Sequence, residues 1–165
     1  MTEIVQLSTA THKADAPIPS PPGAVRTDGV YIVFTTVEAT VAAAHVAAAF
    51  ADALAVPLTL VHFRVVPYPL EVDAPVGISP VETNAFADHL KAEGINVHVR
   101  VFLCRHSDRA LPMAFKPHSL VVIGGRRSWL PTQAERWRRR LETAGHLVVF
   151  VDETMRRGRG EKTHA

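Results

Sequence analysis

Leu120-Val121-Val122-Ile123-Gly124-Gly125-Arg126-Arg127-Ser128 decides the fold. Four apolar residues run without alternation, which suits a strand covered on both faces in a parallel sheet. The run breaks at two glycines and turns cationic within three residues. That is the pattern of a buried strand delivering a loop to the edge of an α/β sheet, where ligands bind.

Four further apolar runs lie around it, at 30–35, 58–66, 95–104 and 147–151. Amphipathic or capped segments separate them. In the first, about 39–55, Val46, Phe50 and Leu54 fall at i, i+4 and i+8, predicting one apolar face. The second opens Ser79-Pro80-Val81-Glu82, a capping box with proline at the first helical position, and stops at Gly94. The last opens Thr132-Gln133-Ala134-Glu135, again a capping box, with Ala134, Trp137, Leu141 and Ala144 turned inward and Gly145 ending it. Near 108–116, Pro112 and Pro117 limit any helix to a turn or two. Strand and helix alternating in this way predict right-handed βαβ units, hence an α/β open five-stranded parallel sheet with helices on both faces.

The chain has 165 residues, 47% hydrophobic and 21% charged, which suits one globular domain over 29–154. Residues 1–28 hold Pro17, Pro19, Pro21, Pro22 and Gly23 with little apolar pattern and are expected to form a flexible leader. Residues 155–165 are expected to be a loose basic tail. The single Cys104 rules out an internal disulfide framework and fits a reducing cytosol, hence a cytoplasmic protein. No apolar run approaches the ~20 residues of a membrane span, and the first residues carry no signal-peptide pattern.

A net charge of +2 conceals an asymmetry. From Arg126 onward ten Lys/Arg face five acids, whereas the remainder carries eight bases and eleven acids. A basic end of this kind attracts a nucleotide, a nucleic acid or an acidic surface, and a plain solvated helix face has the same composition.

In an open α/β sheet the ligand position lies beyond the carboxyl ends of the strands, where strand order reverses. The candidate residues are therefore Thr35, Thr36, Val37 and Glu38 after the first run, with Gly124, Gly125, Arg126, Arg127 and Ser128 after the fourth. Thr132 joins them at a helix N-terminus. Glycine admits close backbone approach and arginine offers forked donors to an anion. The same two glycines equally suit a sharp exit from a buried strand.

Val56-Pro57-Leu58-Thr59-Leu60-Val61-His62-Phe63 resembles the second strand of the universal stress protein family, a small residue followed by L-T-L-L-H-V. Leu120-Val121-Val122-Ile123-Gly124 is similar to that family's D-L-I-V-M-G. Thr132-Gln133-Ala134-Glu135-Arg136 and the strand Leu147-Val148-Val149-Phe150-Val151 match its S-V-A-E-R and final P-V-L-V-V. The resemblance implies strand order 3-2-1-4-5, the adenine-nucleotide hydrolase-like arrangement. It also implies a homodimer joined through the edge Leu147, Val148, Val149, Phe150 and Val151, or a subunit of a larger assembly, and in one branch bound ATP or AMP.

The departures point to a degenerate nucleotide site. Nucleotide-binding members place Asp at the end of the first strand, where this chain has Thr35. They carry G-x2-G-x9-G-[ST] after the fourth strand, where Ser128 and Pro131 replace the second and third glycines of a loop that is several residues shorter. Proline has no N–H to donate. The expectation is a non-catalytic regulatory or interaction module without a cofactor, the alternative being a sensor of ATP, AMP or another phosphate compound.

Other chemistry finds little support. The nine histidines form no HExxH and no i, i+4 pair, so no metal site is expected. His62 in an apolar strand reads as a satisfied structural histidine, and His98 as solvent-facing on an edge strand. Cys104 beside Arg105 and His106 reads as a buried thiol. Neither a GxSxG elbow nor a Walker A sequence occurs, and no enzyme is expected, although slow nucleotide hydrolysis stays open. Glu71 with Asp73 and Asp152 with Glu153 read as solvated loop pairs. The run Arg136-Trp137-Arg138-Arg139-Arg140 is a single helix face, so no nucleic-acid partner is expected.

Overall fold

The computed structural model describes residues 4–9 as backbone, and 27–69 and 81–154 with their side chains apart from Val81. In chain order the elements are β1 (Ile4–Thr9), β2 (Val30–Val33), α1 (Val37–Leu54), β3 (Leu58–Val65), α2 (Val81–Ala92), β4 (His98–Cys104), α3 (Ser107–Ala110), a 3-10 turn (Leu111–Met113), β5 (Leu120–Gly125), α4 (Gln133–Thr143) and β6 (Leu147–Asp152).

Strands β2 to β6 are mutually parallel and lie in the order β4-β3-β2-β5-β6, the expected 3-2-1-4-5. A sixth strand was not expected. Within the stretch read as a flexible leader, β1 pairs antiparallel with β4, Ile4 opposite Cys104 and Thr9 opposite Val99. It covers the edge on which His98 was placed, although His98 itself stays exposed. Among the described residues, the remaining open edge is β6.

Successive residues on each strand enter different cores, as the pleat requires. Val30, Ile32, Leu58, Leu60, Val99, Val101, Leu120 and Val122 pack beneath α1 and α2. Tyr31, Val33, Val61, Phe63, Phe102, Val121 and Ile123 pack against α4 and the segment from Ala110 to Phe115. Sheet strands buried on both faces explain why the apolar runs are continuous.

The packing of α1 corrects the sequence reading. Its buried face is Ala39, Ala43, Ala47 and Ala51 with Thr40, whereas Phe50 and Leu54 are 37% and 44% exposed. Small side chains let the helix backbone lie close to the sheet. That approach is tight enough for a Cβ on residue 124 to collide with the Ala39 carbonyl. This helix is also long and apolar enough to cross a membrane by length and composition alone, contrary to expectation. Its alanine face is instead occupied by the sheet.

Helix α2 buries Thr83, Phe86 and Leu90 and ends at Gly94, whose φ is +83°. The expected cap at Ser79 and Pro80, and the Glu71 and Asp73 pair, lie outside the described residues. The capping box of α4 is present: Thr132 Oγ1 accepts from Glu135 N and Glu135 Oε2 accepts from Thr132 N. Ala134, Trp137 and Leu141 are buried as expected, whereas Ala144 is exposed because it sits at the C-cap.

Candidate functional site

A crevice of about 770 Å³ opens where β2 and β5 end, between the N-termini of α1 and α4. Strand order reverses between these neighbours: β2 leads to β3 on one side and β5 leads to β6 on the other. The crevice is therefore at the topological switch point, the usual ligand position in this architecture. Its volume lies in the range of small-molecule sites.

Seven of the expected residues line it: Thr35, Thr36, Val37, Glu38, Gly125, Arg126 and Thr132. Three do not: Gly124, Arg127 and Ser128. Gly124 is occupied by packing, with the Ala39 carbonyl where its side chain would be. Gly125 faces the crevice, yet a Cβ there would stand 2.7 Å from the Ala134 Cβ and 3.0 Å from Phe150 Cζ. Neither glycine has a positive φ. Both are therefore required by helix packing rather than by a sharp turn.

The hydroxyls of the crevice are engaged in the fold. Thr35 Oγ1 donates to Gly124 O at 2.8 Å, tying the ends of β2 and β5 together. Thr35 N donates to Thr40 Oγ1, which in turn donates to Thr36 O. Thr36 caps α1 through Ala39 N, and Thr132 caps α4.

Glu38 and Glu153 are the two carboxylates on the rim; the sequence places Glu38 just beyond the first run, but reads Glu153 as part of a solvated loop pair and so misses it. Arg126 Nε meets Glu153 Oε1 at 3.3 Å, and Glu153 N donates to Gly125 O at 3.0 Å. The register that sets Gly125 opposite Asp152 brings this pair together, and the sequence carried no signal of it. The next carboxyl, Asp152, is held below its usual range by the Thr154 hydroxyl and amide, with Arg127 contributing. The rim thus joins two helix N-termini, which favour negative charge, with one arginine already paired to an acid. Among the described residues, no histidine or thiol lines it.

The histidine and the thiol singled out in the sequence lie elsewhere. His62 Nδ1 bonds Thr83 Oγ1 at 2.7 Å, and its ring lies 4.4 Å from that of Phe34. Burial, aided by Arg64 and opposed by Glu82, pushes its pKa down to about 4, so it is a neutral structural residue. Cys104 is fully buried, which pushes its thiol pKa up, away from nucleophilic use. Among the described residues, no three His, Cys, Asp or Glu side chains gather as a metal site.

Fold and crevice together define an open, doubly wound α/β protein with a ligand-sized cleft at its switch point. No family model matches the chain, and no curated protein matches it. Among solved structures it is similar to a protein from the universal stress protein family from Burkholderia pseudomallei, at 17% identity and a TM-score of 0.45, over 79% of this chain and 98% of that one.

Proposed function

We propose that this chain is a cytoplasmic, universal-stress-protein-like regulatory or interaction module, non-catalytic, with a decayed nucleotide site. The observation that carries this reading is the bond from Thr35 Oγ1 to Gly124 O. An acid at that position would offer acceptors to a base or ribose; the threonine instead offers its one hydroxyl hydrogen to the neighbouring strand. The six-residue loop 126–131, which contains Pro131, supplies too few amides to wrap a triphosphate. The module acts as a homodimer through β6, or offers that edge to another subunit.

The crevice itself favours a second reading, a small-ligand sensor. About 770 Å³ between two helix N-termini, with Arg126 on the rim, accommodates AMP, ATP or another phosphate compound. Native mass spectrometry of freshly purified protein separates the readings, followed by calorimetry with ATP and AMP. No retained nucleotide and no binding at micromolar concentrations support the first. Micromolar affinity that is lost on Arg126→Ala establishes the second.

A further inference from the structure

The crevice at the switch point combines apolar walls with an uncompensated carboxylate. Val37, Val41 and Ala42 of α1 line one side, and Ala134 of α4 lines the other. Val37 is left 51% exposed there, beside a space of about 770 Å³. Apolar walls with a few polar groups are the usual make-up of a small-molecule site.

Among the described residues, three charged side chains line the space: Glu38, Arg126 and Glu153. Arg126 and Glu153 pair at 3.3 Å and cancel. Glu38 has no ion-pair or hydrogen-bond partner among the described residues. Each helix N-terminus contributes about half a positive charge. Each is already met by an acid in its own first turn, Glu38 in α1 and Glu135 in α4. Two full negative charges outweigh two half positive ones, so the balance is negative. The hydrogen bonding runs the same way. Thr35 Oγ1 has given its hydrogen to Gly124 O, so it can only accept from a ligand.

We propose that the crevice binds an organic cation, an amine carried on an aliphatic or aromatic body, with Glu38 facing the ammonium and the α1 wall facing the body. A phosphate compound would bring its negative charges to a rim whose guanidinium is already taken. A bare metal ion would need several oxygen or nitrogen ligands, and no such group gathers among the described residues. Apolar walls add nothing for a hydrated ion, whereas they reward an organic body. The proposal rests on the first reading above, in which the site has lost its nucleotide, and names the ligand class that takes its place.

The test uses the full chain and three molecules that share one body and differ in the head: phenylbutylamine, phenylbutanol and phenylbutyrate. Saturation-transfer NMR and calorimetry rank them. The amine should bind about fivefold more tightly than the alcohol, and the butyrate more weakly than either. Glu38→Gln should lower the affinity for the amine about fivefold and leave that for the alcohol unchanged. Glu38 is exposed, and circular dichroism checks that the variant remains folded. An amine that binds Glu38→Gln as tightly as the wild type overturns the proposal. A butyrate that matches the amine, or an amine that fails to bind at millimolar concentration, also overturns it. ATP titrated into the same samples separates the two questions. Micromolar ATP binding defeats the first reading and this proposal with it, whereas failure of the amine in a sample that also rejects ATP defeats the proposal alone.

Discussion

Gly124 and Ala39 are in backbone contact: the α1 carbonyl of Ala39 occupies the space where any side chain at 124 would begin. A backbone carbonyl cannot swing away as a flexible side chain can. Gly124→Ala should therefore cost at least as much as strong overpacking, about 3 kcal/mol, or prevent folding. Gly125→Ala meets the tip of Phe150, which can turn aside, and the Ala134 methyl, which moves only with α4, and should cost about 2 kcal/mol, less than Gly124→Ala. Urea denaturation of the two variants checks the ranking.

The stability of the protein should fall on mild acidification. His62 takes a proton near pH 6.5 when unfolded but only near pH 4 when folded. The unfolded chain therefore binds more protons between these values, and stability is complete above about pH 6.5 and lost as pH falls toward 4. His146, lowered by burial and by His118, acts in the same direction. His62→Gln should flatten the profile of melting temperature against pH across that window.

Asp108 Oδ1 accepts the indole N–H of Trp137 at 2.7 Å, joining α3 to α4 across the second core. Asp108→Ala leaves a buried donor without a partner and should cost about 1–3 kcal/mol. Thermal melts of this variant, compared with those of Arg139→Ala on the exposed face of α4, separate the bond from a general surface effect.

The open β6 edge predicts self-association in solution. Leu147 is 57% exposed, and no glycine, proline or lysine interrupts the strand. The wild type should sediment as a dimer at tens of micromolar, and Leu147→Lys as a folded monomer. Val149→Pro should block pairing as well, with circular dichroism confirming that the sheet survives. A monomeric wild type leaves this edge for a different subunit.

The five parallel strands and the α4 cap were legible because each rests on local signals: continuous apolar runs, and Thr132 three residues before Glu135. The α1 face was not legible. Val46, Phe50 and Leu54 outweigh alanines in any hydrophobicity pattern, while the sheet selects the side that approaches most closely. Strand β1 was hidden for a related reason. Ile4–Thr9 gains its partner from residues far along the chain, and the prolines that follow it read as the end of order. At the site, positions at strand ends could be read from topology, whereas Glu153 reaches Arg126 only through the pairing of β5 with β6.

The antiparallel pairing of β1 also sets a timetable for the nascent protein. Strand β1 needs a partner that is made much later, since Thr9 pairs with Val99 and Ile4 with Cys104. At roughly 5–20 residues per second, translation takes about 5–20 s to supply that partner. Through that interval the amino-terminal strand has no edge to join, and β4, once made, keeps an unpaired edge until β1 returns to it. Closing so long a loop is slow relative to forming the neighbouring βαβ units. The sheet is therefore finished by its oldest residues.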